Sequence, residues 1–228
     1  MLEHVIHVHP RPMRAWRRRL PRPLLLGVLL ALLALLAFGL WHASGTQVAN
    51  LGTVQRMQAS GVYSAWAKGE VIVLVRHAER CDRSSHPCLN DPAGITLEGS
   101  QAAAGVGDGI RDLGLDAADI LSSPEVRTRQ TASYVFGRAV ETQDWLMRCD
   151  GTFADAALAR KRAGHNLVLV THSGCIDQFE RQLDVPGGER DSGYASALFV
   201  AKGPTGHPRI LGQLNANQWR KLVSRTGE

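Results

Sequence analysis

Three short clusters of polar residues carry the groups that could do chemistry. The first is Arg76-His77-Ala78-Glu79-Arg80. The second runs from Ser122 through Ser123, Pro124, Glu125, Arg127 and Thr131 to Ala132. The third is Thr171-His172-Ser173-Gly174. A neutral, oriented imidazole is a good nucleophile toward phosphorus. Guanidinium groups grip phosphate oxygens through forked, charge-assisted hydrogen bonds, and they stabilise the charge on a phosphoryl group in transfer. His77 and His172, set among Arg76, Arg80 and Arg127, therefore describe a site that binds phosphate and attacks it. A cation site would want His, Cys and carboxylate ligands at suitable spacing, and arginines crowding His77 argue against one there. Any one cluster alone reads as an ordinary surface turn. Three of them on one rim are harder to dismiss.

The elements that must position these clusters alternate in type. Val71-Ile72-Val73-Leu74-Val75 is a continuous apolar run, the mark of a strand buried on both faces. Thr96 caps a helix that runs to Leu113. Asp119 to Ser122 is a short strand, and Glu125 to Arg138 reads as a helix with Pro124 near its start. Residues 153–163 look helical. Asn166 to Thr171 is a second buried run, followed by a helix from Cys175 to Leu183. Ala197 to Ala201 and Ile210 to Leu214 close the set as strands. Strands alternating with helices give an α/β domain with a mostly parallel sheet. Ligands of such sheets sit beyond the carboxyl ends of the strands, and each of the three clusters directly follows a strand.

The chain has 228 residues, enough for one compact domain plus an extension. Its net charge of +5 is unevenly spread. Arg11, Arg14, Arg17, Arg18, Arg19 and Arg22 crowd the first 23 residues beside the lone Glu3, and the rest of the chain is balanced. The basic pI thus belongs to the tail, and nothing in the domain suggests a nucleic-acid partner. After these arginines comes an uncharged run of 18 residues, Leu24 to Trp41. A basic stretch before an apolar one reads as a secretory signal or a signal anchor, with the arginines staying in the cytoplasm. Ala43-Ser44-Gly45 offers a small-residue cleavage site, and both cleaved and anchored forms stay open. The domain plan is then residues 1–45 as the basic n-region and signal helix, 46–69 as a linker with a peripheral helix, and 70–228 as the catalytic domain.

Arg76-His77-x-x-Arg80, Ser123-Pro124-x-x-Arg127 with Thr131-Ala132, and Thr171-His172 resemble the three signatures of the histidine phosphatase superfamily. Ile95-Thr96-x-x-Gly99 resembles that superfamily's first helix opening. The run from Arg76 to Arg83, with Cys88, Gly94-Ile95-Thr96, Ser122-Ser123, Arg127-Thr128, Cys149 and Cys175, narrows the resemblance to members that act on the lipopolysaccharide core. The resemblance covers residues 70–213 and implies a three-layer sandwich around the sheet. It implies that His77 takes the phosphoryl group, that Arg76, Arg80, Arg127 and Ser123 bind the phosphate, and that His172 donates to a phosphate oxygen. It implies no metal and no organic cofactor. The acid that many members place after the second motif is not evident, since Leu146 is followed by Met147 and Arg148. Asp150 is the preferred candidate for that acid, with the start of the next helix as its alternative role.

Four cysteines in an exported domain suggest two disulfides. Three pairings are possible. Cys81–Cys88, closing the loop after the nucleophile, and Cys149–Cys175, tying two rim segments, are preferred. Only 44 positions separate Arg127 from His172, which leaves little room for a covering cap. An open pocket suits a phosphate on a bulky partner, a phosphorylated glycan or lipid-linked sugar as well as a phosphoprotein. The compartment and the resemblance favour the glycan, in the periplasm and near the inner membrane. A phosphohistidine or broad acid phosphatase, and a membrane-tethered phosphate-binding module without turnover, are the rival readings.

Overall fold

A computed structural model describes residues 22–43, 45–202 and 207–226. Arg11 to Arg19 and Ser44 of the expected signal and cleavage site lie outside the described residues. The chain divides into two units, residues 1–44 and 45–228. In the first, helix α1 (Arg22–Ala43) carries the leucine-rich run, and its described apolar side chains are exposed, Leu35 by 67%. Among the described residues no helix is long and apolar enough to cross a membrane. Eighteen residues rise about 27 Å as a helix, just under the hydrocarbon thickness of about 30 Å.

The second unit is built on six strands: β1 (Val71–Arg76), β2 (Ala118–Ser122), β3 (Glu141–Thr142), β4 (Asn166–Thr171), β5 (Ala197–Lys202) and β6 (Pro208–Leu214). Their order is β3-β2-β4-β1-β5-β6. β1, β2, β3 and β4 run parallel, while β5 pairs antiparallel with both β1 and β6. The strand alternation sorts side chains to two faces. Val71, Val73 and Val75 join one buried cluster, and Ile72 and Leu74 join the other. Helices α2 (Val54–Ser60), α3 (Val62–Ala67), α4 (Leu97–Leu113), α5 (Val126–Phe136) and α8 (Ala216–Thr226) cover the first face. Helices α6 (Phe153–Arg160) and α7 (Ser173–Gln182) cover the second. The result is a three-layer sandwich whose sheet is buried on both sides.

Residues 46–69 are not a linker. Asn50 bridges to Gln213, and Thr53 caps α2 by accepting from the Arg56 N–H. Met57, Val62 and Trp66 are buried in the first cluster, and the Trp66 Nε1–H donates to the Gly114 carbonyl at 2.9 Å. Burying each large apolar side chain contributes about 1.5–3 kcal/mol. The periodicity is weak because α2 and α3 are short and break at Gly61, whose φ of 81° ends one helix and starts the other. Two helix boundaries also differ from expectation. The 153–163 helix stops at Arg160, and the helix expected from Cys175 begins at Ser173, directly behind His172. α8 and the two-residue β3 carry no sequence expectation at all.

Candidate active site

The three clusters meet beyond the carboxyl ends of β1, β2 and β4. β1 ends at Arg76, and its pairing with β4 continues one step as the His77 N–H donates to the Thr171 carbonyl at 2.9 Å. The Ser123 N–H in turn donates to the Val170 carbonyl at 2.9 Å. Three strand ends are thereby locked in register, and with them His77, Ser123 and His172.

His77 is buried, 3% exposed. Its Nδ1 lies 2.8 Å from the Ala78 carbonyl, an acceptor, so Nδ1 carries the proton and Nε2 keeps its lone pair. Its pKa is lowered to about 3, chiefly by burial and also by the nearby His172, Arg127 and Arg76, against the opposing pull of the Ala78 bond. The Ala78 N–H donates to Thr131 Oγ1 at 2.9 Å, and that hydroxyl donates to the Arg127 carbonyl at 2.7 Å. Thr131 of the second cluster thus holds the nucleophile loop against α5.

The His172 ring stands 5.4 Å from that of His77, between centroids. Its Nδ1 faces Arg127 Nη2 at 3.4 Å, a donor, so its proton sits on Nε2 and goes to Ser123 Oγ at 2.9 Å. Burial and then Arg127 lower its pKa to about 4. Ser123, expected on the phosphate, is instead buried against His172. As long as His172 is neutral, its single ring proton is spent on Ser123.

The arginines differ in how they are held. Arg76 Nη1 donates to the Ser192 carbonyl at 2.5 Å, and its Cζ lies 4.0 Å from the centre of the Tyr194 ring. Arg76 Nε and Arg127 Nε are buried and, among the described residues, have no protein partner. Buried guanidinium donors left unpaired are what an anion site requires. Arg80 is turned aside: Nε and Nη2 both donate to Asp82, at 2.8 and 2.5 Å. The reason is local, since a carboxylate two residues away on a tight turn offers a fork at little entropic cost. Asp150 is also engaged elsewhere. Its carboxylate accepts from Thr152 N and Oγ1 at the start of α6, which holds its pKa below the usual carboxylate range. An ionised carboxylate held in this turn is a poor proton donor. Asp150 is not the helix cap either, since Thr152 occupies that position and α6 has no side-chain cap bond.

The described cysteines are joined as Cys81–Cys88 and Cys149–Cys175. The first closes the loop behind Arg80. The second ties the rim before α6 to the first turn of α7. Glu79 is structural: it accepts from Thr96 Oγ1 at 2.7 Å and from His86 Nδ1 at 2.9 Å, tying the nucleophile loop to the cap of α4.

Two further residues line the pocket, Tyr194 outside every sequence cluster and Glu125 inside the second cluster but without an assigned role. Tyr194 sits 5.7 Å from the His77 ring as well as on Arg76. It is presented by a loop in which the next residue, Ala195, has a φ of 53° while its N–H donates to the His77 carbonyl at 3.3 Å. A left-handed alanine persists only where its surroundings impose it. Glu125, the third residue of Ser123-Pro124-Glu125, pairs with Arg127. A separate cavity of about 480 Å³, lined by Gly69, Ile72 and Lys161 among others, opens at the other end of β1, away from these groups.

The geometry matches what comparison with known proteins finds. No family model matches the chain. It is 33% identical over 155 residues to the lipopolysaccharide core heptose(II)-phosphate phosphatase of Escherichia coli O1:K1, covering 65% of this chain and 73% of that protein. The chain belongs to this phosphatase family. The protein of the same name from Salmonella typhimurium is 35% identical over 133 residues, a match that spans 57% of this chain and 65% of the relative's own length. Among solved structures, the protein histidine phosphatase SixA complexed with tungstate superposes with a TM-score of 0.51 at 16% identity, covering 64% of this chain and 97% of that one. That likeness places the sheet and helices in the same fold.

Proposed function

We propose that this chain is a periplasmic phosphomonoesterase that removes phosphate from a heptose of the lipopolysaccharide core through a phosphohistidine at His77. The observation that carries the reading is the state of His77, with Nδ1–H donating to the Ala78 carbonyl, its Nε2 lone pair free, and the cations Arg76 and Arg127 nearby. His77 Nε2 attacks phosphorus. Arg76 and Arg127 neutralise the phosphoryl oxygens, joined by Arg80 once it leaves Asp82. A dianion beside His172 raises that ring's proton affinity, so that Nδ1 gains a proton to donate to a phosphate oxygen. Water then releases phosphate. The substrate follows from the relatives' name, and the basic, apolar N-terminus together with the two disulfides supports delivery to an oxidising compartment.

The test is phosphate release by the full chain in detergent, with EDTA present. The probes are lipopolysaccharide core carrying heptose phosphate and a phosphohistidine peptide. The expected result is vanadate-sensitive release from the glycan that falls by on the order of 10³-fold or more in His77→Ala. Unchanged release by His77→Ala would sink the mechanism. Preference for the peptide would overturn the substrate. No release from either would favour the binding module.

A further inference from the structure

Breaking the P–O bond of a sugar phosphate leaves an alkoxide, a poor leaving group unless a proton reaches it as the bond breaks. Three carboxylates near the pocket are committed to structure. Glu79 serves Thr96 and His86, and Asp150 holds Thr152. Asp82, although its partner Arg80 also turns to the phosphate, is the anchor of that arginine in the resting loop and is more exposed than Glu125, at 44%. Glu125 is different. It occupies the N-cap position of α5 with extended backbone, yet its side chain caps no helical N–H. Its Oε2 instead pairs with Arg127, whose Nη2 also faces His172 Nδ1. Its charge is felt by Arg80 and His172 as well. One carboxylate therefore stands among three of the residues that surround the phosphate, and at 29% exposure it is open to a substrate arriving from solvent.

We propose that Glu125 is the proton donor to the leaving oxygen, freed for that task by the substrate itself. This deepens the proposed phosphohistidine reading and rests on it. In the resting pocket Arg127 neutralises Glu125. The incoming phosphate claims the same guanidinium. Glu125 then loses its cation and stands beside the bound phosphate. Its proton comes from solvent or from the phosphate monoanion. In the first step His77 Nε2 forms the P–N bond while the P–O bond to the sugar breaks. The bonding electrons go to the sugar oxygen, and the Glu125 carboxyl proton follows them. A free hydroxyl, a phosphohistidine and a Glu125 carboxylate result. In the second step the carboxylate takes a proton from water as the water oxygen bonds to phosphorus. The P–N electrons return to Nε2, inorganic phosphate leaves, and Glu125 is protonated again.

Leaving-group dependence tests this. Nitrophenolate departs without a proton, whereas a sugar alkoxide does not. The full chain and its Glu125→Gln and Glu125→Asp variants are compared on a sugar phosphate and on p-nitrophenyl phosphate. Glu125→Gln is expected to lose about 10²- to 10⁴-fold in kcat on the sugar phosphate and less than about tenfold on the aryl phosphate. Vanadate should bind this variant at least as tightly as the parent, because nothing competes for Arg127. Glu125→Asp should recover part of the sugar-phosphate rate. Equal losses on both substrates, or none on the sugar phosphate, would overturn the proposal while leaving His77 in place. Parent activity that survives His77→Ala would overturn the underlying reading and the proposal together.

Discussion

A histidine attacks phosphorus only while its lone pair is free. Burial holds His77 at about 3 and His172 at about 4, with neighbouring cations adding to both, so the two rings are neutral across the physiological range. His86 is the internal contrast. It is exposed, and its hydrogen bond to Glu79 pushes its pKa upward. In an NMR titration of the histidine rings we expect His77 and His172 to stay unprotonated down to about pH 5, while His86 titrates above the ordinary 6.5. A His77 midpoint near 6.5 would mean that the ring is solvated and the site open. At this scale the sequence was informative about type and position. His77 and His172 directly follow strands, Arg76 ends one, Arg127 lies in the first turn of α5, and the structure brings them together. It was silent on pairing. Asp82 claims Arg80 and Ser123 claims His172 through side-chain geometry that no spacing rule encodes. Tyr194 arrives from a loop far along the chain, where one tyrosine between Gly193 and Ala195 makes no motif.

Helices set where the phosphate-binding side chains stand. Gly107 of α4 is buried against α5, and a Cβ there would come within 2.1 Å of the Val135 carbonyl oxygen. Arg111 Nη1 donates to that same carbonyl at 2.9 Å. Backbone cannot yield as a side-chain tip can, so α5 would have to move, taking Arg127 and Thr131 with it. Gly107→Ala should therefore lose about 1–3 kcal/mol of stability despite the gain of about 1 kcal/mol in helix propensity. It should also weaken vanadate binding, measured by inhibition. A stable variant with parent-like vanadate affinity would show that α4 and α5 do not constrain the site. The strands β1 and β4 were legible because both faces are buried, which makes the apolar runs continuous. β3 has two exposed polar residues and no pattern to read. α2 and α3 are too short for periodicity to accumulate, yet their few apolar residues are core.

For the whole molecule, acid and base act on different buried groups. His77 and His172 bind fewer protons folded than unfolded between about pH 3 and 6.5, so stability drains away as pH falls through that window. Glu180 works in the opposite sense. Burial, then repulsion from Asp177, raises its pKa to about 7, and its Oε1 is buried without a partner among the described residues. Its contribution is present below the ordinary carboxylate range and is lost as pH rises through about 7. Glu180→Gln should accordingly be more stable than the parent near pH 8, by about 1–3 kcal/mol in urea melts, and not near pH 4. No gain at the higher pH would mean that Glu180 is solvated or paired. The central claim, that the assembled pocket carries the phosphoryl group on His77, is tested most directly by trapping it. The full chain is mixed with radiolabelled substrate, quenched in base during turnover and digested. An acid-labile, base-stable label is expected on the peptide bearing His77, absent from His77→Ala. Turnover that leaves no label on the chain, or a label that survives acid, would contradict it.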